Sequence, residues 1–242
     1  QNTGDHVHDA GHMPAMPDRR NMKQLISEQI RSRIADLRGR GVFSGYADSH
    51  RCIFIHIPKA AGTSVVRTLF GEGSRHLRYT QYEQANPRKF REYFKFTFVR
   101  NPWSRLYSAY SFLQKGGMND MDQRWAKEHL AGFADFDSFV KGWVTPENIR
   151  SWIHFYPQHY FICDDALNLK LDFVGHFETL NQDFTHVQQQ LGMPVTPLPN
   201  INSSAGQKHY TDHYSHEAQK IVASVYSEDI SLFSYHFSGR AK

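Results

Sequence analysis

The sequence is poor in cysteine, with two in 242 residues, Cys52 and Cys163. Each lies in a short apolar run with no CxxC partner. That excludes a disulfide framework and a cysteine zinc site, and leaves two buried small hydrophobes. No apolar run approaches the roughly 20 residues that cross a bilayer, so no membrane span is expected. Charge of one sign is also lacking, since 28 Lys and Arg against 24 Asp and Glu give +4. There is no finger, no RNA-binding signature and no long basic run, so nucleic acid is not the expected partner. A small excess of cations still favours an anionic ligand. The Gly-Lys-Ser/Thr order of the common triphosphate loop is missing too.

What is present is a globular composition, 40% hydrophobic and 14% aromatic, at a length suited to one domain with a full core. Residues 1–20 read as a flexible leader, polar and without periodicity, in which His6, His8 and His12 are incidental rather than a metal grip. Residues 21–242 form the expected domain. Within it, 21–40 should open with an amphipathic helix whose Leu25, Ile26, Ile30, Ile34 and Leu37 share one face. That stripe needs cover, from the domain or from a second copy in a homo-oligomer.

The stretch 52-CIFIHIPKAAGTSVVRTLFG-71 reads as a buried strand, a tight turn and a helix start. Such a start is an anion site. The Thr63 and Ser64 amides are expected to point outward, with the Lys59 charge beside them. A polar, irregular stretch over 72–93 leads to a second strand, 94-FKFTFVR-100. It feeds directly into the helix 104-SRLYSAYSFLQKG-116, with Leu106, Tyr110 and Leu113 toward the core. Two more apolar runs, 158-QHYFICD-164 and 171-LDFVGHFE-178, are read as strands, and Trp125, Trp143 and Trp152 as one wall of a cleft. Alternating strands and helices predict an α/β fold with a central, mainly parallel sheet flanked by helices. In such sheets ligands sit beyond the carboxyl ends of the strands. Lys59 and Arg100 both fall there, with Ser108 in reach of a phosphate on Arg100. Two separated anion positions are implied.

The stretches 56-HIPKAAGTS-64 and 96-FTFVRNPWSRLYSAY-110 closely resemble the two cofactor loops of sulfotransferases, in the branch that includes many carbohydrate sulfotransferases. Weaker likeness continues through 172-DFVGHFETL-180, where His176 stands in place of the family's frequent Arg, to about residue 237. The resemblance implies a P-loop-like nucleotide-binding fold. The implied donor is 3'-phosphoadenosine 5'-phosphosulfate (PAPS), its product is adenosine 3',5'-bisphosphate, and no metal is required. It implies that Lys59, Ala60, Ala61, Gly62, Thr63 and Ser64 hold the phosphosulfate and that Arg100 and Ser108 hold the 3'-phosphate. Ser203, Ser204 and Lys208 match a loop that closes over the nucleotide in relatives. The resemblance implies a carbohydrate hydroxyl as the expected acceptor, with a small metabolite as the alternative and binding without catalysis as a further one. The expected compartment is the cytoplasm, or the Golgi lumen if this is a soluble part of an anchored enzyme.

Sulfuryl transfer needs a cation on the departing phosphate, a task for Lys59, and a base for the acceptor proton. His76, in 74-SRHLRYTQYEQ-84, is the candidate base, because relatives commonly place a catalytic histidine or glutamate on that segment. Glu83 is the carboxylate alternative. His56 is read as structural, and His154 and His159 as second choices farther from the phosphosulfate.

Overall fold

The computed structural model describes residues 19–199 and 209–240. His6, His8 and His12 of the leader lie outside the described residues, as do Ser203, Ser204 and Lys208. Strands β1 (Cys52–Ile55), β2 (Phe94–Val99) and β3 (Phe173–His176) form a parallel sheet in the order β1-β2-β3. Ile55 stands opposite Thr97, and Val99 opposite His176. All four β1 residues are apolar and buried, as a strand covered on both faces requires. Thr97 would leave a hydroxyl in the core, and it donates instead to Ile55 O at 2.6 Å, tying β2 to β1.

Helices surround this sheet. α1 (Arg19–Leu37) and α2 (Tyr46–His50) precede β1, and α3 (Gly62–Phe70) leaves it. α4 (Tyr79–Ala85) and α5 (Pro87–Glu92) lie in the crossover to β2, and α6 (Pro102–Gln114) leaves that strand. α7 (Asp120–His129), α8 (Phe136–Trp143) and α9 (His159–Ile162) precede β3, which runs through a short 3-10 turn into α10 (Leu180–Gln190). α11 (His216–Val225), α12 (Ser227–Leu232) and a hairpin of β4 (Tyr235–His236) and β5 (Gly239–Arg240) complete the described chain. The α/β class with a parallel sheet is the one expected from the sequence. No helix among the described residues is long and apolar enough to cross a membrane.

Three expectations are corrected. The stretch 72–93 is largely helical, not irregular. Within the run 158–164, His159–Ile162 form a helix, α9, because buried Asp229 accepts from the Gln158 and His159 amides at 2.7 and 2.8 Å and so caps its start, and only Cys163 makes an isolated antiparallel bridge, with Leu169. Trp125 and Trp143 are buried, meeting edge to face at 5.2 Å, and belong to the core rather than to a cleft wall. Of the α1 stripe, Ile26, Ile30, Ile34 and Leu37 are 51%, 53%, 42% and 84% exposed in the single chain, so of the two expected covers, the domain or a second copy, the domain leaves these four open. The helix docks instead through buried Asp36, which receives Lys89 Nζ at 3.0 Å and Asn86 Nδ2 at 2.9 Å.

Candidate functional site

β1 hands over to α3 through Pro58–Ala61. Lys59 and Ala61 both adopt left-handed backbone, φ 66° and 68°. That conformation costs a non-glycine residue roughly 1 kcal/mol or more, and turns that use it gather N–H groups on a concave side. Gly62 opens the helix, and a Cβ there would stand 2.1 Å from His56 Cδ2, so only glycine lets the helix begin against that ring. Ser64 N donates to Ala61 O at 3.0 Å. The tightened first turn therefore consumes one amide that the sequence reading left free. Lys59 is half-buried, with Nζ 3.8 Å from the centre of the Phe112 ring and no ion pair among the described residues. Burial, then the Arg100 charge, push its pKa down to about 8, with Asp122 pulling the other way.

One strand across, Arg100 closes β2. Its Nε donates to Ser104 Oγ at 2.9 Å, and its Nη1 reaches Lys59 O at 3.4 Å. Its guanidinium lies 4.1 Å from the centre of the Phe177 ring. Gln158 grips the Arg100 backbone at both ends, accepting from its N at 2.9 Å and donating to its O at 2.8 Å. Burial pushes the guanidinium down to about 10, partly offset by Glu178. Asn101 starts α6 by accepting from Trp103 N at 3.1 Å, with Pro102 fixing the first helical φ. Ser108 lies one turn beyond Ser104 on the same stripe of that helix, half-buried. A groove of about 860 Å³ opens beside Phe177, lined also by Leu180, Phe184 and Leu198.

Three histidines gather on the other side of Lys59. His76 Nδ1 lies 2.8 Å from His56 O. A carbonyl only accepts, so Nδ1 carries the proton and Nε2 keeps a lone pair. Burial lowers the His76 pKa, so the ring is neutral at neutral pH. His56, buried below it with ring centres 4.2 Å apart, is pushed down to about 3 by burial and the neighbouring ring. Ser74 Oγ sits 2.6 Å from its Nδ1. His154 stands 6.4 Å from His76, ring to ring, and its Nε2 meets Asp122 Oδ1 at 3.2 Å. Asp122 is itself fixed by the turn before α7, where Met118 N donates to its Oδ2 at 3.0 Å. A Cβ on Gly117, at φ 65°, would stand 2.2 Å from Asp122 Cβ.

The structure thus brings Lys59, Gly62, Arg100 and His76 to one edge of the sheet, with Ser108 on the helix behind Arg100. Glu83 is exposed on α4. His159 is held by Asp229 at 2.8 Å, whereas His154, read from the sequence as more distant, joins the cluster. His176 is buried, driven down to about 4 by burial, and its Nε2 has no partner among the described residues. Sequence reading missed Arg105 and Asp122. Arg105 lay in the quoted motif, but nothing in one sequence marks it as buried; Asp122 and His154 meet only through the packing of α7. No group of three or more His, Cys, Asp or Glu among the described residues could hold a metal ion.

The geometry is that of an α/β protein with a strand–loop–helix turn carrying Lys59 and, one parallel strand away, Arg100, neither cation having an ion pair among the described residues. The chain matches the sulfotransferase family over residues 45–236, and it belongs to that family. It is 26% identical over 178 residues to carbohydrate sulfotransferase 14 of Danio rerio, covering 61% of this chain and 47% of that protein. It is 25% identical over 232 residues to carbohydrate sulfotransferase 11 of Mus musculus, covering 78% and 65%. An uncharacterized protein of Archaeoglobus fulgidus is 29% identical over 118 residues, 47% of this chain and 79% of that protein. The chain therefore spans about half to two-thirds of the length of the two vertebrate relatives. No solved structure matches it.

Proposed function

We propose that this chain transfers a sulfuryl group from PAPS to a carbohydrate hydroxyl, releasing adenosine 3',5'-bisphosphate. The observation that carries this reading is the pair of half-buried cations, Lys59 and Arg100, on adjacent parallel strand ends with no ion pair among the described residues. The donor presents a phosphosulfate at one end and a ribose phosphate at the other, and this pair fits it. When bound, the donor supplies the sulfuryl group. Lys59 and the N-terminus of α3 hold its 5' side, and the ammonium is placed to follow charge on the departing oxygen. Arg100 and Ser108 hold the ribose phosphate. Ser203, Ser204 and Lys208 are assigned to a covering loop by family resemblance alone.

His76 Nε2, lone pair free and ring neutral, is the base for the acceptor proton. The carbohydrate acceptor is supported by the names of the relatives. The test is thermal denaturation with adenosine 3',5'-bisphosphate and chelator, followed by a screen of carbohydrate acceptors with labelled donor. The bisphosphate should raise Tm without divalent metal, and ATP with magnesium should do so weakly. An equal shift from ATP, or a shift abolished by chelator, refutes the reading.

A further inference from the structure

Arg105 takes no part in the roles assigned above, yet it is the most deeply buried cation beside the site. Its side chain is 2% exposed and makes no ion pair among the described residues. The acid whose charge reaches it, Asp229, is already occupied by Gln158 N, His159 N and His159 Nδ1. Withdrawing a guanidinium from water without a carboxylate is costly, so some other advantage must retain it. Its contacts suggest what that is. Nε donates to Pro58 O at 2.9 Å, and Nη2 reaches His154 O at 3.4 Å. Pro58 begins the turn that presents Lys59, and His154 belongs to the histidine cluster. The same helix, α6, carries Ser104 against Arg100 and Phe112 beneath Lys59.

We propose that Arg105 is a positioning residue, whose planar fork fixes the spacing between the anion loop and the histidine side of the cleft, and whose charge keeps that cleft positive. This rests on the proposed sulfuryl transfer, because the spacing matters only if donor and acceptor meet between the two. The charge reaches every group concerned, since Arg105 helps to lower the pKa of Lys59, His76 and Arg100. Around Lys59 the other charges are Arg100, Lys115 and Asp122, with neutral His76 and His154 nearby. Lysine would keep the charge but could not span two carbonyls from a rigid plane, and glutamine would lose the charge while keeping an amide donor.

The two substitutions separate those functions. Arg105→Lys should lower kcat about tenfold or more with little change in donor KM, and should leave the Lys59 titration in place. Arg105→Gln should also lower kcat, and should raise the Lys59 pKa by about half a pH unit, because a like charge is gone. Turnover is measured against pH, and Lys59 is titrated independently through its Cε resonance in 13C-lysine protein. Wild-type kcat in Arg105→Lys overturns the proposal. So does an unmoved Lys59 titration in Arg105→Gln, or kcat losses that track only a lowered Tm. Failure of the sulfotransferase reading looks different: the unaltered chain would show neither turnover nor a bisphosphate-induced Tm shift, and the Lys59 titration in Arg105→Gln would still decide whether Arg105 sets the field.

Discussion

Lys59→Met should yield a protein that is more stable and catalytically dead. In the folded chain burial, then the Arg100 charge, lower the lysine from 10.5 to about 8. At 1.36 kcal/mol per pH unit, carrying the charged ammonium at pH 7 costs the fold about 3 kcal/mol. Methionine removes the charge and keeps the hydrocarbon against Phe112, but loses a cation–π contact worth roughly 0.5–2 kcal/mol. A net gain of about 1–2.5 kcal/mol remains, or a rise of about 2–10 °C in Tm for a chain of this size. The pH dependence supplies the sharper signature. Between about pH 8 and 10.5 the unfolded lysine holds a proton that the folded one has lost, so wild-type stability rises with pH through that window. The advantage of Lys59→Met should therefore be full at pH 7, shrink above pH 8 and vanish near the unfolded value. Scanning calorimetry of both proteins across that range tests this, alongside the Tm shift caused by the bisphosphate, which the variant should largely lose. A variant less stable than wild type at pH 7, or a gap independent of pH, refutes the reasoning.

Arg100→Ala should weaken bisphosphate binding by roughly 1–3 kcal/mol, since a charge-assisted contact is removed, and calorimetric titration reads it directly. Gly62→Ala places a Cβ 2.1 Å from His56 Cδ2, so the ring or the helix start must shift; destabilisation of roughly 1–3 kcal/mol in a urea melt is expected, with a larger fractional loss of turnover. His76→Ala should lower kcat on the order of a hundredfold while bisphosphate affinity holds. In the wild type, kcat/KM should fall on the acid side below the ordinary histidine value of 6.5, as His76 is protonated, and on the alkaline side near pH 8, as Lys59 loses its charge. An acid limb unchanged by Ser74→Ala/His56→Gln is compatible with this, but one unchanged in the residual activity of His76→Ala shifts the role to His154.

The two loops were legible in the sequence because each is a local device. A buried apolar run followed by Pro-Lys-Ala-Ala-Gly can do little but turn, and Asn101-Pro102 ends one strand while starting a helix. What could not be read depended on contacts remote in sequence. The run 158–164 has too few residues for periodicity to separate strand from helix, and Asp229, 70 residues from His159, decides it. His154 looked distant because a chain read in order cannot show that α7 returns Asp122 to hold it, 32 residues away. The apolar stripe of α1 was correctly seen as a stripe, but the docking of that helix is governed by one buried carboxylate, Asp36, that periodicity does not count.

The charges of the site are best understood as a set. Lys59, Arg100 and Arg105 lie together, each with its pKa driven down chiefly by burial, and Asp122 is the carboxylate that opposes them at Lys59. Neutral His56, His76 and His154 complete the cleft without cancelling the cations. Folding without ligand therefore leaves positive charge in a poorly hydrated place, and the first anion to arrive recovers part of that cost. On the proposed reading, a donor with two separated negative groups should recover more than two separate ions can, because one binding event would neutralise both Lys59 and Arg100. Burial is the main reason the histidines stay unprotonated, and at His76 and His154 the nearby cations add to it, a state that a base requires and a mere anion-storage site does not. Binding strength and readiness for proton transfer thus share one contribution, the Arg105 charge, and removing it in Arg105→Gln should move both.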